Sequence, residues 1–143
     1  MFHELVEEPT ELTTDELYDR YVTAVAAAIE DAGVAAVAEA TSVDRETLTA
    51  ISAGRSPESE LTLEDAAAIL GVSDEHPDGE TIATLSRDAL LMGMTTAVLD
   101  VEAIESGLGG ELEAREIQSK VEGRFPMTLR EFALLYGFIE GKK

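Results

Sequence analysis

Apolar positions recur at intervals of three and four along nearly the whole chain, with no sustained alternation of apolar and polar residues. That period predicts helices and no sheet. After an acidic lead over residues 1–13, Thr13 and Glu16 stand as a Thr-x-x-Glu capping box. Leu17, Tyr21, Val25 and Ile29 then recur every fourth residue, and Gly33 supplies a stop. A short helix is expected over residues 34–40. Asp44 caps the next, which turns Leu48 and Ile51 inward and ends at Gly54. Thr62 with Asp65 offers a second capping box for a helix over residues 63–70, closed by Gly71. Pro77 and Gly79 break the period over residues 73–79, which read as a linker. The longest helix is expected over residues 80–106, carrying Ile82, Leu85, Ala89, Met92, Thr96 and Leu99 as its apolar series, with "GLGG" at 107–110 ending it. A helix over residues 111–122 shows Ile117 and Val121 on one face, and Thr128 with Glu131 makes a third capping box before a last helix over 129–139.

The chain also writes one phrase twice. "AGRSPESELTLEDAAAIL" begins at Ala53 and "EGRFPMTLREFALLYGF" at Glu122; each gives Gly-Arg-x-Pro, Thr-Leu, an acid and an apolar run. "GVAAVAEA" from Gly33 stands opposite "DVEAIESG" from Asp100. The offsets are 67 for that pair, 69 for the Gly-Arg pairs and 66 for the Thr-Leu pairs. A period near 67 implies a duplicated helical module. The expected fold is all-α, seven or eight helices, with two related modules (residues 14–72 and 80–143) packed around the helix at 80–106 as one unit. Residues 90–99, "LLMGMTTAVL", read in two ways: a homodimer seam where Gly93 lets helices approach, or a core helix between the modules.

Charge comes next. The chain carries 30 acidic and 10 basic residues, a formal charge of −20. Self-repulsion of that size opposes a compact state unless ions screen it. With seven Arg, three Lys, abundant Ala and Val, and few aromatics, the composition matches salt-loving archaea with molar potassium in the cytoplasm. At that salt the Debye length is about 3 Å. The acidity is then a solvent adaptation and says nothing about partners. Its distribution is uneven: residues 1–114 hold 26 acids and 4 bases, whereas residues 115–143 hold 4 acids and 6 bases. A locally basic end in an acidic chain is where an anionic partner is sought. The apolar content of 45% supports a folded core, and 143 residues fit one domain. No apolar run approaches the roughly 18 residues of a membrane span, and the N-terminus lacks a signal-peptide pattern, so the expectation is cytoplasmic with no membrane partner.

Residues 34–73, "VAAVAEATSVDRETLTAISAGRSPESELTLEDAAAILGVS", resemble the lambda-repressor-like helix-turn-helix family. Val37, Ala38, Val43, Leu48, Ile51, Gly54, Pro57, Ala66, Leu70, Gly71 and Val72 fall where that family keeps its core and turns. Ser42 replaces the usual turn glycine, and "PESE" lengthens the loop. The second copy fits less well, because "ESGLGGELEAR" is longer than the family's turn. The whole chain also resembles a small haloarchaeal family that implies no activity. The helix-turn-helix resemblance implies a recognition helix over residues 44–53, with Ser42, Arg45, Glu46 and Thr49 facing base edges and Arg55 a phosphate. Arg45 would pair with guanine and Glu46 accept from cytosine. DNA affinity rests mainly on cations at phosphates, and the first module sets its two arginines among Asp44, Glu46, Glu58 and Glu60. The second is better supplied, with Arg115, Lys120, Arg124 and Arg130, and Lys142 and Lys143 behind. Lys120 and Arg124, four apart across a helix end, would converge on one phosphate; equally, they would complement the helix dipole.

Catalytic chemistry is sparse. No Cys is present, and His3 and His76 read as solvated side chains without a second ligand at metal spacing. "GLGG" follows no strand and lacks a phosphate-loop lysine. Ser52 and Ser56 have no nearby His. Tyr18, Tyr21, Phe132, Tyr136 and Phe138 sit at helical spacing and read as core or groove lining. The expected function is non-catalytic, without metal or cofactor: a helix-turn-helix DNA-binding regulator or, alternatively, a protein–protein adaptor without DNA.

Overall fold

The computed structural model describes residues 2–55 and 61–143; Ser56, Pro57, Glu58 and Glu60, invoked above, lie outside them. Its helices are α1 (Thr14–Ala32), α2 (Val34–Ala40), α3 (Arg45–Ser52), α4 (Leu63–Leu70), α5 (Gly79–Ala97), α6 (Val101–Gly107), α7 (Ala114–Val121) and α8 (Leu129–Glu140). Most start where a short polar side chain accepts from the otherwise orphaned amides of the first turn. Thr13 and Thr128 form complete capping boxes with Glu16 and Glu131. Asp44, Asp78 and Asp100 each accept from the third residue onward at 2.8 Å. Those amides hold the Asp44 and Asp78 carboxyls below the usual carboxylate range. Thr62 accepts from the Asp65 amide at 3.0 Å, only half of the expected box, since Asp is one methylene shorter than the Glu that closes the others. α7 begins three residues later than expected, and Glu105 of α6 caps it, accepting from the Ala114 amide at 3.0 Å.

Residues 80–106 do not form one helix. α5 stops at Ala97, Val98 adopts a left-handed conformation (φ 56°, ψ 51°), and α6 leaves at 89° to α5. The Leu99 amide closes the turn on the Met94 carbonyl at 2.9 Å. In the first copy α1 and α2 meet at 101° across Gly33. Both copies therefore bend at one place, and in the second the bend is made without Gly or Pro.

With that break, the copies align helix by helix. Leu17, Tyr21 and Val25 of α1 match Ile82, Ser86 and Leu90 of α5, all buried. Leu61, Leu63, Ala66, Ala67, Ile69 and Leu70 match Met127, Leu129, Phe132, Ala133, Leu135 and Tyr136, again all buried. The repeated Gly-Arg words are matching helix ends. Gly54 (φ 77°) and Gly123 (φ 80°) take the left-handed turn that a Cβ disfavours. The following amides of Arg55 and Arg124 then reach back to the carbonyls of Ala50 (2.8 Å) and Ser119 (2.9 Å). The repeated Thr-Leu words touch each other. Thr62 and Thr128 form an antiparallel β-bridge in which the Leu63 amide donates to Met127 (2.6 Å) and the Leu129 amide to Leu61 (2.8 Å). Equivalent residues exchange equivalent bonds, so the copies meet about a local two-fold axis.

The modules are interleaved rather than tethered: α1 packs most extensively on α8, and α5 on α4. Residues 73–79 are no loose linker, because the backbones of Gly71 and Gly79 meet so closely that a Cβ on Gly71 would stand 2.4 Å from the Gly79 amide. The acidic lead is anchored too. Phe2 is fully buried and meets Tyr21 edge-on at 5.5 Å between ring centroids, with Phe132 stacked on Tyr136 at 5.6 Å beside them. No single helix among the described residues is long and apolar enough to cross a membrane.

Candidate functional site

Helix-turn-helix recognition would use α3 and, in the second copy, α7. On α3 and its flanks, Ser42, Arg45, Glu46, Thr49 and Arg55 are all exposed. Arg45 opens the helix, whose eight residues span about 12 Å at 1.5 Å per residue, and Arg55 follows its far end. Arg55 borders a groove of about 400 Å³ against Tyr18, Asp19 and Val22 of α1. The carboxylates of Asp44 and Glu46 sit at the same helix start as Arg45.

Most cations of the basic C-terminal end are engaged by groups of the same chain, Lys120 inside the fold and the others at its surface. Lys120, half-buried, donates to Glu116 Oε2 at 2.7 Å and to Glu131 Oε2 at 2.5 Å. Burial opposes its charge, but the hydrogen bonds to Glu116 and Glu131 outweigh that and hold its ammonium above the ordinary lysine value. Lys120 and Arg124 do not share a phosphate site: Lys120 ties α7 to α8, and Arg124 pairs with Glu122. Arg130 pairs with Asp15 of α1 and lies 5.4 Å from the Tyr18 ring centroid. Lys143 pairs with Glu140 at 2.6 Å, and Lys142 stands 5.5 Å from the Phe138 ring centroid. Of the four basic residues proposed in this module, Arg115 alone is exposed without an ion pair among the described residues.

Arg87 belongs to no motif in the sequence, yet it joins three helices. Its guanidinium donates to Glu64 Oε2 at 2.6 Å and to the Lys120 carbonyl at 2.8 Å, joining α4, α5 and the end of α7. Glu64 Oε1 also accepts from the Met127 amide at 3.3 Å. Glu64 and Arg130 are equivalent positions in the two copies, and each pairs with the long helix of the other module. The sign of the charge changes while the job stays the same. The signal available in the sequence was the lone cation of α5 facing an acidic stretch.

Beside α7 the surface has another character. Arg115, Glu116 and Ser119 face the Phe125–Pro126 turn across a groove of about 510 Å³. Phe125 is 61% exposed. His3 and His76 are each half-buried rather than solvated. Burial lowers the His3 pKa, with the N-terminal ammonium adding to it. Among the described residues no cluster of three His, Asp or Glu side chains has metal-binding geometry.

The chain belongs to the family of unknown function DUF5791, whose sequence model matches residues 17–142. No curated protein and no solved structure matches it.

Proposed function

We propose that the protein is a non-catalytic adaptor that binds another protein, built from two helix-turn-helix-like modules and working in the molar-salt cytoplasm of an archaeon. The observation behind this reading is the pairing of the C-terminal cations within the chain: Lys120 inside the fold, and Arg124, Arg130 and Lys143 at its surface, all face carboxylates. A DNA-binding surface needs several cations free for phosphates, and its affinity falls steeply with salt. An apolar contact keeps its strength in salt.

The α7 groove carries the chemistry expected of a protein contact. Exposed aromatic side chains and unpaired Arg are the residues that anchor such interfaces. Phe125 and Pro126 would receive an apolar side chain of the partner, while Arg115 would pair with a carboxylate beside it. DNA recognition by Ser42, Arg45, Glu46, Thr49 and Arg55 is the rival.

The test is affinity capture from a native high-salt lysate with wild type, Phe125→Asp and Arg115→Glu, alongside a DNA-binding assay in the same buffer. A partner retained by wild type and lost with both variants, with no DNA bound, supports the adaptor. Saturable DNA binding that is lost in Arg45→Ala overturns it.

A further inference from the structure

α5 carries two apolar stripes. Ile82, Ser86, Leu90 and Gly93 face the core and are buried. The expected apolar series lies largely on another face: Leu85 is 42% exposed and Met92 70%, with Ala89 half-buried and Thr96 exposed. Gly93 does permit a close helix approach, but to α8 of the same chain, since a Cβ there would meet Ile139 Cγ2 at 2.7 Å.

The fold does not require that outer stripe to be apolar. Its equivalents on α1 are Arg20, Ala24, Ala27 and Asp31, which share the same pattern of exposure. One copy gives this face charge and the other gives it Leu and Met. Residues 89–99 carry no charged side chain at all, in a chain that is 28% charged. The Thr96 hydroxyl is turned back onto the Met92 carbonyl at 3.0 Å, and that of Thr95 onto Leu91 at 3.1 Å, so both hydroxyls find an acceptor within the helix. Exposed apolar stripes free of charge are the signature of an interface core.

We propose that this stripe is the seam of a homodimer, in which α5 packs antiparallel on α5 of a second copy. The spacing 85, 89, 92, 96 is the four-three-four interval of helices that interlock side by side. Along it large and small residues alternate: Leu85, Ala89, Met92, Thr96. A two-fold axis between residues 90 and 91 sets Leu85 opposite the second copy's Thr96 and Met92 opposite its Ala89, a large side chain against a small one in every layer. Parallel pairing would oppose Met with Met. Two chains of −20 each can touch only where neither presents charge, and then only once salt screens the remainder. A basic partner would be drawn to the acidic faces instead, which leaves a second copy as the occupant this stripe fits. None of the seam residues lines the α7 groove, and neither reading depends on the other.

Sedimentation velocity of the full chain in molar KCl is the test, with circular dichroism as the check on folding. Wild type is expected at twice the 15.3 kDa chain mass. Met92→Glu places an uncompensated charge in the seam and is expected to weaken association about a hundredfold or more. Ala27→Glu, on the matching face of α1, leaves the dimer intact. The chain has no Cys, so Ala89→Cys mixed with Met92→Cys reports the register: the mixture cross-links faster than either variant alone. Should Met92→Glu lose helicity, Met92→Gln and the cross-link decide. A wild type that stays monomeric at submillimolar concentration, a dimer indifferent to Met92→Glu, or cross-linking no faster in the mixture overturns the proposal.

Discussion

Arg87 and Arg130 play matching parts in the two halves, and their different burial sets different costs for losing them. The Arg87 side chain is 13% exposed and its partner Glu64 38%; for Arg130 and Asp15 the values are 50% and 72%. Arg87→Met keeps the apolar stem and removes two hydrogen bonds. Both are charge-assisted, worth about 1.5–3 kcal/mol each, and the Lys120 carbonyl keeps a second donor in the Gly123 amide at 3.2 Å. Glu64 retains access to water and the Met127 amide, which keeps the total near the lower end, about 3 kcal/mol. Arg130→Met gives up an exposed pair and a ring contact, together about 1 kcal/mol or less. Urea unfolding in molar KCl measures both, and for a chain of this size the first should lower the melting temperature by roughly 6–12 °C. A double-mutant cycle with Glu64→Gln isolates the pair from the carbonyl. Equal costs for the two variants, or an Arg87→Met cost under about 1 kcal/mol, would refute the claim that a buried clamp interleaves the modules.

Three further outcomes follow. Val98 is β-branched, left-handed and 89% exposed, so Val98→Gly loses no packing; relief of about 1–2 kcal/mol of strain against about 0.5–1 kcal/mol of glycine entropy should raise stability by about 0.5–1 kcal/mol in urea unfolding. Gly79→Ala drives a Cβ to 2.7 Å from the Ala68 Cα, backbone that cannot yield cheaply, and should cost about 1–3 kcal/mol. His3 has its pKa lowered by burial and by the N-terminal ammonium, against opposing contributions from Glu4 and Glu140. The unfolded chain therefore binds more protons just below pH 6.5, so stability is full above that value and falls as the pH drops through it toward the folded pKa. His3→Gln should flatten that part of the stability–pH curve, and an NMR titration of His3 should give a midpoint below 6.5.

Local chemistry made most of the helix starts legible. Thr13, Asp44 and Thr128 cap where the sequence places them, because a cap needs only its own first turn. The duplication was legible in outline, but its purpose was not. The two Thr-Leu words look like separate punctuation until the chain folds and brings Thr62 to Thr128. The break at residues 98–100 was missed because Val98, a poor left-handed residue, does what glycine does elsewhere; the alignment of Asp100 with Gly33 was the available clue. The buried face of α5 was misjudged for a related reason. Two apolar stripes share that helix, and only the match of Leu17, Tyr21 and Val25 with Ile82, Ser86 and Leu90 says which faces inward. Cations on the C-terminal helices were visible as charges, yet their partners came from distant elements: Asp15 for Arg130 and Glu131 for Lys120.

The claim that pairing within the chain occupies these cations is tested most directly by titrating labelled duplex DNA with the protein across a range of KCl concentrations in which it stays folded. The expected result is no saturable binding at any of them. Saturable binding that weakens linearly in log[KCl], and that loses about one unit of slope in Arg115→Ala, would contradict the account.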